Sequence, residues 1–250
     1  MQSDLPDALR DQIERLLPFV APVLVYPRTN PGIENWITGG TALRAHTGQS
    51  RFLITADHFV HAINNLRVKR EVVVLLGTNS ALIEISDWPI IAHDDFVDIC
   101  TIQVPSDSEA GDLNKSFFDL DKWPPSLAEK GDQALILGFP AAHRHGREKM
   151  INTRVLPIFD FVTDVGSRRF TIADENEHRE ILVNPDNLDV PTHLGGMSGS
   201  PVFKVRDNAY PELLGVLSEG SDGLRGAYFC SHAQFLLPDG KLDFTRIPPR

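Results

Sequence analysis

Three short stretches, far apart in the chain, carry residue types that together could activate a hydroxyl group. His58 follows an apolar run in "LITADHFV", Asp98 opens "DICTIQV", and Ser198 lies in the glycine-rich "GGMSGSPVF". A serine hydroxyl is a weak nucleophile until a base removes its proton, and histidine has a suitable pKa for that step. A carboxylate on the far ring nitrogen fixes the imidazole tautomer and stabilises its protonated form. The three residues therefore predict a nucleophilic serine, although the glycine turn alone is also compatible with a tight bend.

The elements that must position these residues begin with one amphipathic helix. Leu5, Leu9, Ile13 and Leu16 recur at helical spacing, and the prolines that follow end the pattern. We expect a helix within residues 1–18 that packs on the body of the protein, with docking to a partner as the alternative.

Short β-rich runs separated by turns make up the rest of the chain. They form two series, and a polar, proline-containing stretch from Pro105 to about Gly131 separates them. Helices do not alternate with the strands, so the pattern favours an all-β sandwich or barrel over a βαβ fold.

Composition narrows the classes of partner and location. The net charge of −10 argues against a nucleic-acid backbone as the main partner, and the basic stretch 143–149 is interpreted as a solvated loop. No apolar run is long enough to span a membrane, so no membrane partner is expected. The N-terminus lacks signal-peptide features, and the two cysteines, Cys100 and Cys230, are expected to be free buried thiols. We therefore expect a cytoplasmic protein.

The order His, Asp, Ser and the residues around each one resemble the trypsin-like (chymotrypsin-fold) serine peptidases. "TADH", "DIC" and "GMSGSP" are similar to the motifs of that family around its three catalytic residues. "GGTAL", "ALILGFP" and "GVLSEG" are similar to strands that support them, and the resemblance spans Thr38 to Cys230. Each motif alone is weak, whereas the ordered set is specific.

The resemblance implies two packed six-stranded antiparallel β-barrels behind a short N-terminal helix. Residues 19–112 would form the first barrel with His58 and Asp98, residues 113–130 a linker, and residues 131–250 the second barrel with Ser198. The function implied is serine endopeptidase activity on a protein or peptide substrate, without a cofactor.

The resemblance also assigns binding roles by position. The backbone N–H groups of Gly196 and Ser198 would form the oxyanion hole. The substrate pocket would be formed by Thr192, Ser218, Gly220 and Gly226. Because Thr192 is not acidic, a trypsin-like preference for Lys or Arg before the cleaved bond is not supported, and we expect an apolar side chain there.

Two positions depart from the digestive members of the family. Met197 precedes Ser198, where those members have an aspartate that pairs with a new N-terminus after activation. The chain therefore looks more like bacterial members, and one hypothesis is that a regulatory protein partner or the N-terminal helix orders the active-site loops. Asp57 precedes His58, where a small residue is common. Its carboxylate would either raise the pKa of His58 or point into solvent, and we expect it to point into solvent.

Other arrangements carry less weight. The pairs His58/His61 and His143/His145 lack the further ligands that a zinc site needs, so no metal is expected. An α/β-hydrolase would need the opposite residue order and alternating helices. The remaining alternative is a catalytically latent peptidase-fold module that binds peptides or partner proteins.

Overall fold

Helix α1 (Asp7–Leu16) begins the part of the chain that the computed structural model describes. The described residues are 7–29, 36–77, 82–105, 116–120, 123–147, 150–173, 179–181, 194–206, 209–221 and 226–246. Leu9 and Leu16 of α1 are buried, and the Gln12 side-chain amide donates to the carbonyl oxygen of Arg206 at 2.8 Å. The predicted helix that packs on the body is therefore confirmed.

The first half of the chain forms one eight-stranded sheet in the order β5-β4-β1-β2-β3-β7-β6, with β8 pairing parallel to β2. All other neighbours are antiparallel. The strands are β1 (Val20–Pro27), β2 (Thr38–His46), β3 (Arg51–Thr55), β4 (Val72–Gly77), β5 (Leu82–Glu84), β6 (Ile90–Asp94), β7 (Ile99–Gln103) and β8 (Phe118–Asp119).

This sheet corrects the prediction of two six-stranded barrels, because no ladder among the described residues joins its edge strands β5 and β6. Both edge strands face solvent over much of their length, with Leu82 and Ile90 exposed. A bulge between Ile90 and Ala92 further interrupts β6. Short edge strands and a bulge are a poor template for further pairing, which agrees with the open first sheet.

Helix α2 (Asp57–Lys69) was not predicted. It begins directly after β3 with Asp57 in its first turn and ends with Arg67 and Lys69 in its last turn, charges that suit the helix dipole. Its apolar side chains Phe59 and Ile63 are buried against the first sheet. None of the described helices, α2 included, is long and apolar enough to cross a membrane.

The second half of the chain forms a closed six-stranded antiparallel barrel, as predicted. Its strands follow the order β13-β17-β16-β15-β9-β12, and β12 pairs back to β13. The strands of this half are β9 (Gln133–Gly138), β10 (Arg144–Arg147), β11 (Met150–Thr153), β12 (Leu156–Val165), β13 (Arg169–Ile172), β14 (Glu180–Ile181), β15 (Pro201–Lys204), β16 (Glu212–Gly220) and β17 (Tyr228–His232). Strands β10 and β11 form a separate hairpin, and β14 pairs with β12.

An apolar core joins the two sheets. One cluster combines Leu43 and Phe52 of the first sheet with Leu135 and Phe203 of the barrel, and Leu16 of α1 belongs to it. Buried contacts of this kind restrict relative movement of the sheets, because close-packed side chains interdigitate. Residues from the two sheets can therefore be held together at their junction.

Candidate active site

The loop that carries Ser198 consists of two successive turns. The Met197 N–H donates to the Leu194 carbonyl oxygen, and the Ser200 N–H donates to the Met197 carbonyl oxygen, both at 2.9 Å. Gly196 and Gly199 occupy the third position of each turn with φ of 92° and 85°. Backbone conformations with positive φ strongly favour glycine, as in type II turns. The turns explain why small residues surround Ser198 in the sequence.

Thr41 on β2 links the first sheet to this loop through two hydrogen bonds. Its N–H donates to the Ser198 carbonyl oxygen at 2.9 Å, and its hydroxyl donates to the Gly196 carbonyl oxygen at 3.0 Å. The same hydroxyl accepts from the Phe139 N–H at 3.0 Å. Thr41 is fully buried, so these bonds lie in a medium where they are costly to lose. The resemblance of "GGTAL" to a supporting strand did not predict this role of Thr41.

Met197 holds the loop through the packing of its side chain. Its side chain is fully buried in the barrel core, and its sulfur would lie 2.6 Å from a Cβ atom placed on Gly138. The aspartate that precedes the serine in digestive peptidases acts through an ion pair, whereas Met197 holds the loop by apolar packing. The described loop is therefore held by contacts within this chain.

Asp98 lies in an unusual backbone conformation at the start of β7. Its φ of 54° makes it the one non-glycine residue with positive φ among the described residues. Aspartate tolerates this left-handed region better than most residues do. Just before it, the Asp94 carboxylate accepts from the N–H groups of Phe96 and Val97 and so stabilises the turn. Of the three neighbouring aspartates, Asp98 is the one that is buried and contacts His58.

His58 lies in the first turn of α2 between Asp98 and Ser198. Its Nδ1 is 2.9 Å from Asp98 Oδ2, and its Nε2 is 3.0 Å from Ser198 Oγ. The His58 backbone N–H also donates to Asp98 Oδ1 at 2.8 Å, which fixes the carboxylate against the helix. The structure thus brings together three residues that α2, β7 and the barrel loop each supply.

The pKa of His58 is raised above its ordinary value of 6.5. The hydrogen bond with Asp98 is the largest cause, burial opposes it, and the charges of Asp98, Asp57 and Glu219 add to the rise. A carboxylate on Nδ1 leaves Nε2 as the acceptor for the serine proton in the neutral ring. The arrangement can move a proton from Ser198 to His58 and stabilise the resulting imidazolium.

The N–H groups of Gly196 and Ser198 are the donors that sequence analysis assigned to the oxyanion hole. Within the described part of the chain, neither N–H donates to a protein acceptor. The carbonyl groups of the same residues are held by Thr41, which fixes the orientation of the loop. Such fixed, unused donors can stabilise a developing negative charge.

The described members of the predicted substrate pocket lie at the end of β16 and in the loop that precedes β17. The buried Ser218 hydroxyl is 2.9 Å from the Ser231 hydroxyl, and the Gly226 carbonyl oxygen accepts from Arg179 at 2.7 Å. Leu194 packs over Gly220, since a Cβ atom there would lie 2.7 Å from Leu194 Cδ1. Thr192, the predicted base of the pocket, lies outside the described residues. The roles of Leu194 and Arg179 were not predicted from the sequence.

Contrary to the expectation, the Asp57 side chain does not point into solvent. Its side chain is 1% exposed, and its Oδ2 is 3.1 Å from His61 Nδ1. His93 Nδ1 lies 3.3 Å from Asp57 Oδ1, without hydrogen-bond geometry. The sequence could not reveal this cluster because β6 supplies His93. Among the described residues, no group of three or more His, Cys, Asp or Glu side chains could hold a metal ion.

Comparison of the structure with solved structures identifies the fold. The chain is similar to the active form of the Rv3671c protease from M. tuberculosis, with a TM-score of 0.55 and 15% identity over 92% of this chain and 82% of that chain. It is also similar to the thermostable serine protease AL20 from an extremophilic microorganism, with a TM-score of 0.52 and 12% identity over 86% of this chain and 91% of that one. No family model and no curated protein matches the sequence.

These similarities confirm that the chain shares the fold of trypsin-like serine proteases over most of its length. At such low identity they show the fold alone. The chemistry of the site therefore has to be argued from its own residues.

Proposed function

We propose that the chain is a serine endopeptidase that cleaves peptide bonds with Ser198 as nucleophile. The observation that carries this proposal is the continuous hydrogen-bonded series from Asp98 through His58 to Ser198 Oγ. The serine protease fold supports protein or peptide substrates. The fold could equally display a peptide without cutting it, so the proposal depends on the activated serine.

In the first half of the proposed reaction, His58 Nε2 removes the proton from Ser198 Oγ as that oxygen attacks the scissile carbonyl carbon. The carbonyl oxygen becomes an oxyanion and accepts hydrogen bonds from the N–H groups of Gly196 and Ser198. Asp98 stabilises the His58 imidazolium without taking its proton. His58 then donates the proton to the leaving amine, the C–N bond breaks, and an acyl-enzyme remains.

In the second half, a water molecule takes the place of the amine. His58 removes a proton from the water, which attacks the ester carbon of the acyl-enzyme. The same two N–H groups stabilise the second oxyanion. Return of the proton to Ser198 Oγ releases the carboxylic acid product and restores the starting state.

The described loop geometry supports a site that forms without a partner. Thr41 holds the turns from the first sheet and Met197 packs into the barrel core, and both residues are fully buried. Activation by a regulatory partner and a cytoplasmic location stay predictions of the sequence.

The experiment that tests the proposal is covalent labelling of the purified protein with a fluorophosphonate, followed by peptide mapping of the label. We expect labelling at Ser198 and its loss in Ser198→Ala and His58→Ala. Ser167→Ala is the matched control, because Ser167 is exposed in the turn between β12 and β13.

An absence of labelling in a folded, monodisperse sample would contradict the proposal. The chain would then be better described as a latent peptidase-fold module that binds peptides or partner proteins. Labelling that persists in Ser198→Ala would show that another residue is the nucleophile.

A further inference from the structure

The carboxylate of Asp57 is a buried acidic group that the proposed reaction does not use. Its side chain is 1% exposed, and its Oδ1 has no hydrogen-bond partner among the described residues. Burial of such a group is costly unless its partners compensate it, so stability of the fold alone does not explain this residue. Asp57 lies in the first turn of α2 and directly precedes His58. The contacts of this carboxylate therefore bear on the site.

Two histidine side chains contact the Asp57 carboxylate, and they come from different elements. His61 lies one turn further along α2, with its Nδ1 3.1 Å from Asp57 Oδ2. His93 lies on β6, with its Nδ1 3.3 Å from Asp57 Oδ1. The two imidazole rings meet edge to face, with 6.1 Å between their centroids. The carboxylate thus joins α2 to β6.

Strand β6 in turn pairs with β7, the strand that follows Asp98. His93 lies opposite Cys100, which is two residues after Asp98. Burial raises the pKa of the Cys100 thiol, and the charge of Asp57 adds to this rise, which is consistent with a carboxylate close to β7. The contact between Asp57 and His93 therefore links the helix that carries His58 to the strand pair beside Asp98.

The position of the first turn of α2 matters for the reaction. The His58 side chain is 50% exposed, so its position depends largely on the backbone of that turn. Asp57 belongs to the same turn and contacts β6. A small displacement of a reacting group can lower a rate strongly. A residue that fixes this turn can therefore affect turnover without contacting the substrate.

We propose that Asp57 is a positioning residue: its contact with His93 holds the first turn of α2 on β6 and keeps His58 aligned for proton transfer. This inference rests on the proposed function. His61 lies on the same helix as Asp57, so its contact joins no further element. Because the alignment serves the reaction step rather than the binding of substrate, its loss should appear in kcat and not in KM.

The first test is Asp57→Asn, which keeps the shape of the side chain and removes its charge. We expect kcat on a peptide substrate to fall about tenfold with little change in KM. Urea denaturation should show little change in stability, because the two histidines that remain are more than half exposed. Asp87→Asn is the matched control, because Asp87 is exposed in the turn between β5 and β6.

Two variants of His93 test the path of the effect. His93→Leu removes the imidazole and should lower kcat by a similar factor. His93→Asn keeps an N–H donor close to the position of Nδ1 and should restore most of kcat. The double variant Asp57→Asn, His93→Leu should be no slower than either single variant, because both changes remove one contact. Losses that multiply in the double variant would overturn the inference, and so would an unchanged kcat in Asp57→Asn.

A measurement without turnover separates this inference from the proposed function. The His58 backbone N–H lies in the first turn of a helix, where it has no intrahelical acceptor, and it donates to Asp98 Oδ1. Its hydrogen exchange, followed by NMR in Ser198→Ala, therefore reports how firmly the turn is held against Asp98. We expect Asp57→Asn in this background to speed the exchange about tenfold, and Asp87→Asn to leave it unchanged.

Faster exchange in Asp57→Asn would support the inference even where the wild-type protein is not labelled by a fluorophosphonate. Unchanged exchange would overturn it, even where the wild-type protein cleaves peptides. Failure of the inference and failure of the proposed function are thus read from different experiments.

Discussion

The closed barrel and the open sheet hold their parts of the site by different means. The barrel fixes Ser198 through backbone conformation, with two glycine turns and the buried Met197 side chain. The open sheet supplies His58 and Asp98, which are joined by hydrogen bonds between charged or ionisable side chains. The barrel side therefore depends on packing, and the sheet side depends on charge.

This difference predicts two kinds of mutational effect. Changes of charge on the sheet side should impair turnover while the protein stays folded. Changes of shape or buried charge on the barrel side should lower the free energy of unfolding, with loss of activity as a consequence.

The largest effect is expected for Asp98→Asn on the sheet side. Asparagine also tolerates the positive φ of this position, so the fold should be retained. The His58 imidazolium loses its carboxylate, and kcat should fall on the order of 10⁴-fold. Steady-state kinetics on a peptide substrate measure the change, and Asp164→Asn at the exposed end of β12 is the control. A reduction below tenfold would contradict the assigned role of Asp98.

The next prediction compares two ion pairs, one in each region. Arg179 Nη2 and Asp160 Oδ2 are 2.7 Å apart in the barrel, and both side chains are at most 3% exposed. Asp160→Asn leaves a buried guanidinium without its counter-charge, and the free energy of unfolding should fall by roughly 3–5 kcal/mol.

Glu84→Gln is the matched change in the open sheet. Arg28 and Glu84 are 2.9 Å apart, but their side chains are 48% and 45% exposed. Glu84→Gln should lower the free energy of unfolding by less than about 1 kcal/mol. Urea denaturation of both variants gives the comparison, and similar losses in the two would show that burial does not separate the regions.

A third prediction concerns the contact between the two regions at the serine loop. A Cβ atom on Gly199 would lie 2.2 Å from the Thr41 carbonyl oxygen, and the φ of Gly199 is 85°. Gly199→Ala should lower the free energy of unfolding by about 2–4 kcal/mol through overpacking and backbone strain.

Gly195→Ala is the control for this change, because no atom lies within 4 Å of a Cβ placed there. It adds the same methyl group in the same loop and should change stability by less than about 0.5 kcal/mol. Equal losses in the two variants would mean that the loop is not packed against β2 as described.

Local motifs predicted that His58, Asp98 and Ser198 act together, and the structure brings the three side chains into one hydrogen-bonded series. The closure of each sheet depends on contacts between residues that lie far apart in the sequence. Whether the first sheet closes depends on the edges of β5 and β6, and the burial of Asp57 depends on His93 from β6. Helix α2 was missed although its apolar residues Phe59 and Ile63 lie four positions apart, which is the spacing of one helix face.

Thr41 offers a smaller test of how the sheet positions the barrel loop. Thr41→Val keeps the shape of the side chain but removes the hydroxyl that bonds Gly196 and Phe139. Loss of one buried hydrogen-bonding group costs about 1–3 kcal/mol, and we expect kcat to fall about tenfold with little change in KM. Thr41→Ser restores the hydroxyl and should restore kcat. A variant that loses stability but not kcat would contradict a positioning role.

The smallest expected effect is a shift in the pH dependence of turnover. His58 must be neutral to accept the serine proton, so kcat/KM should fall as the pH drops through its raised pKa, above 6.5. The Glu219 charge is a minor cause of that rise, after Asp98 and Asp57. Glu219→Gln should therefore move the acid limb to lower pH. The profile is measured with an uncharged peptide substrate, and Glu129→Gln at an exposed position is the control. A limb that stays in place would show that the sheet side sets the pKa of His58 without help from the barrel.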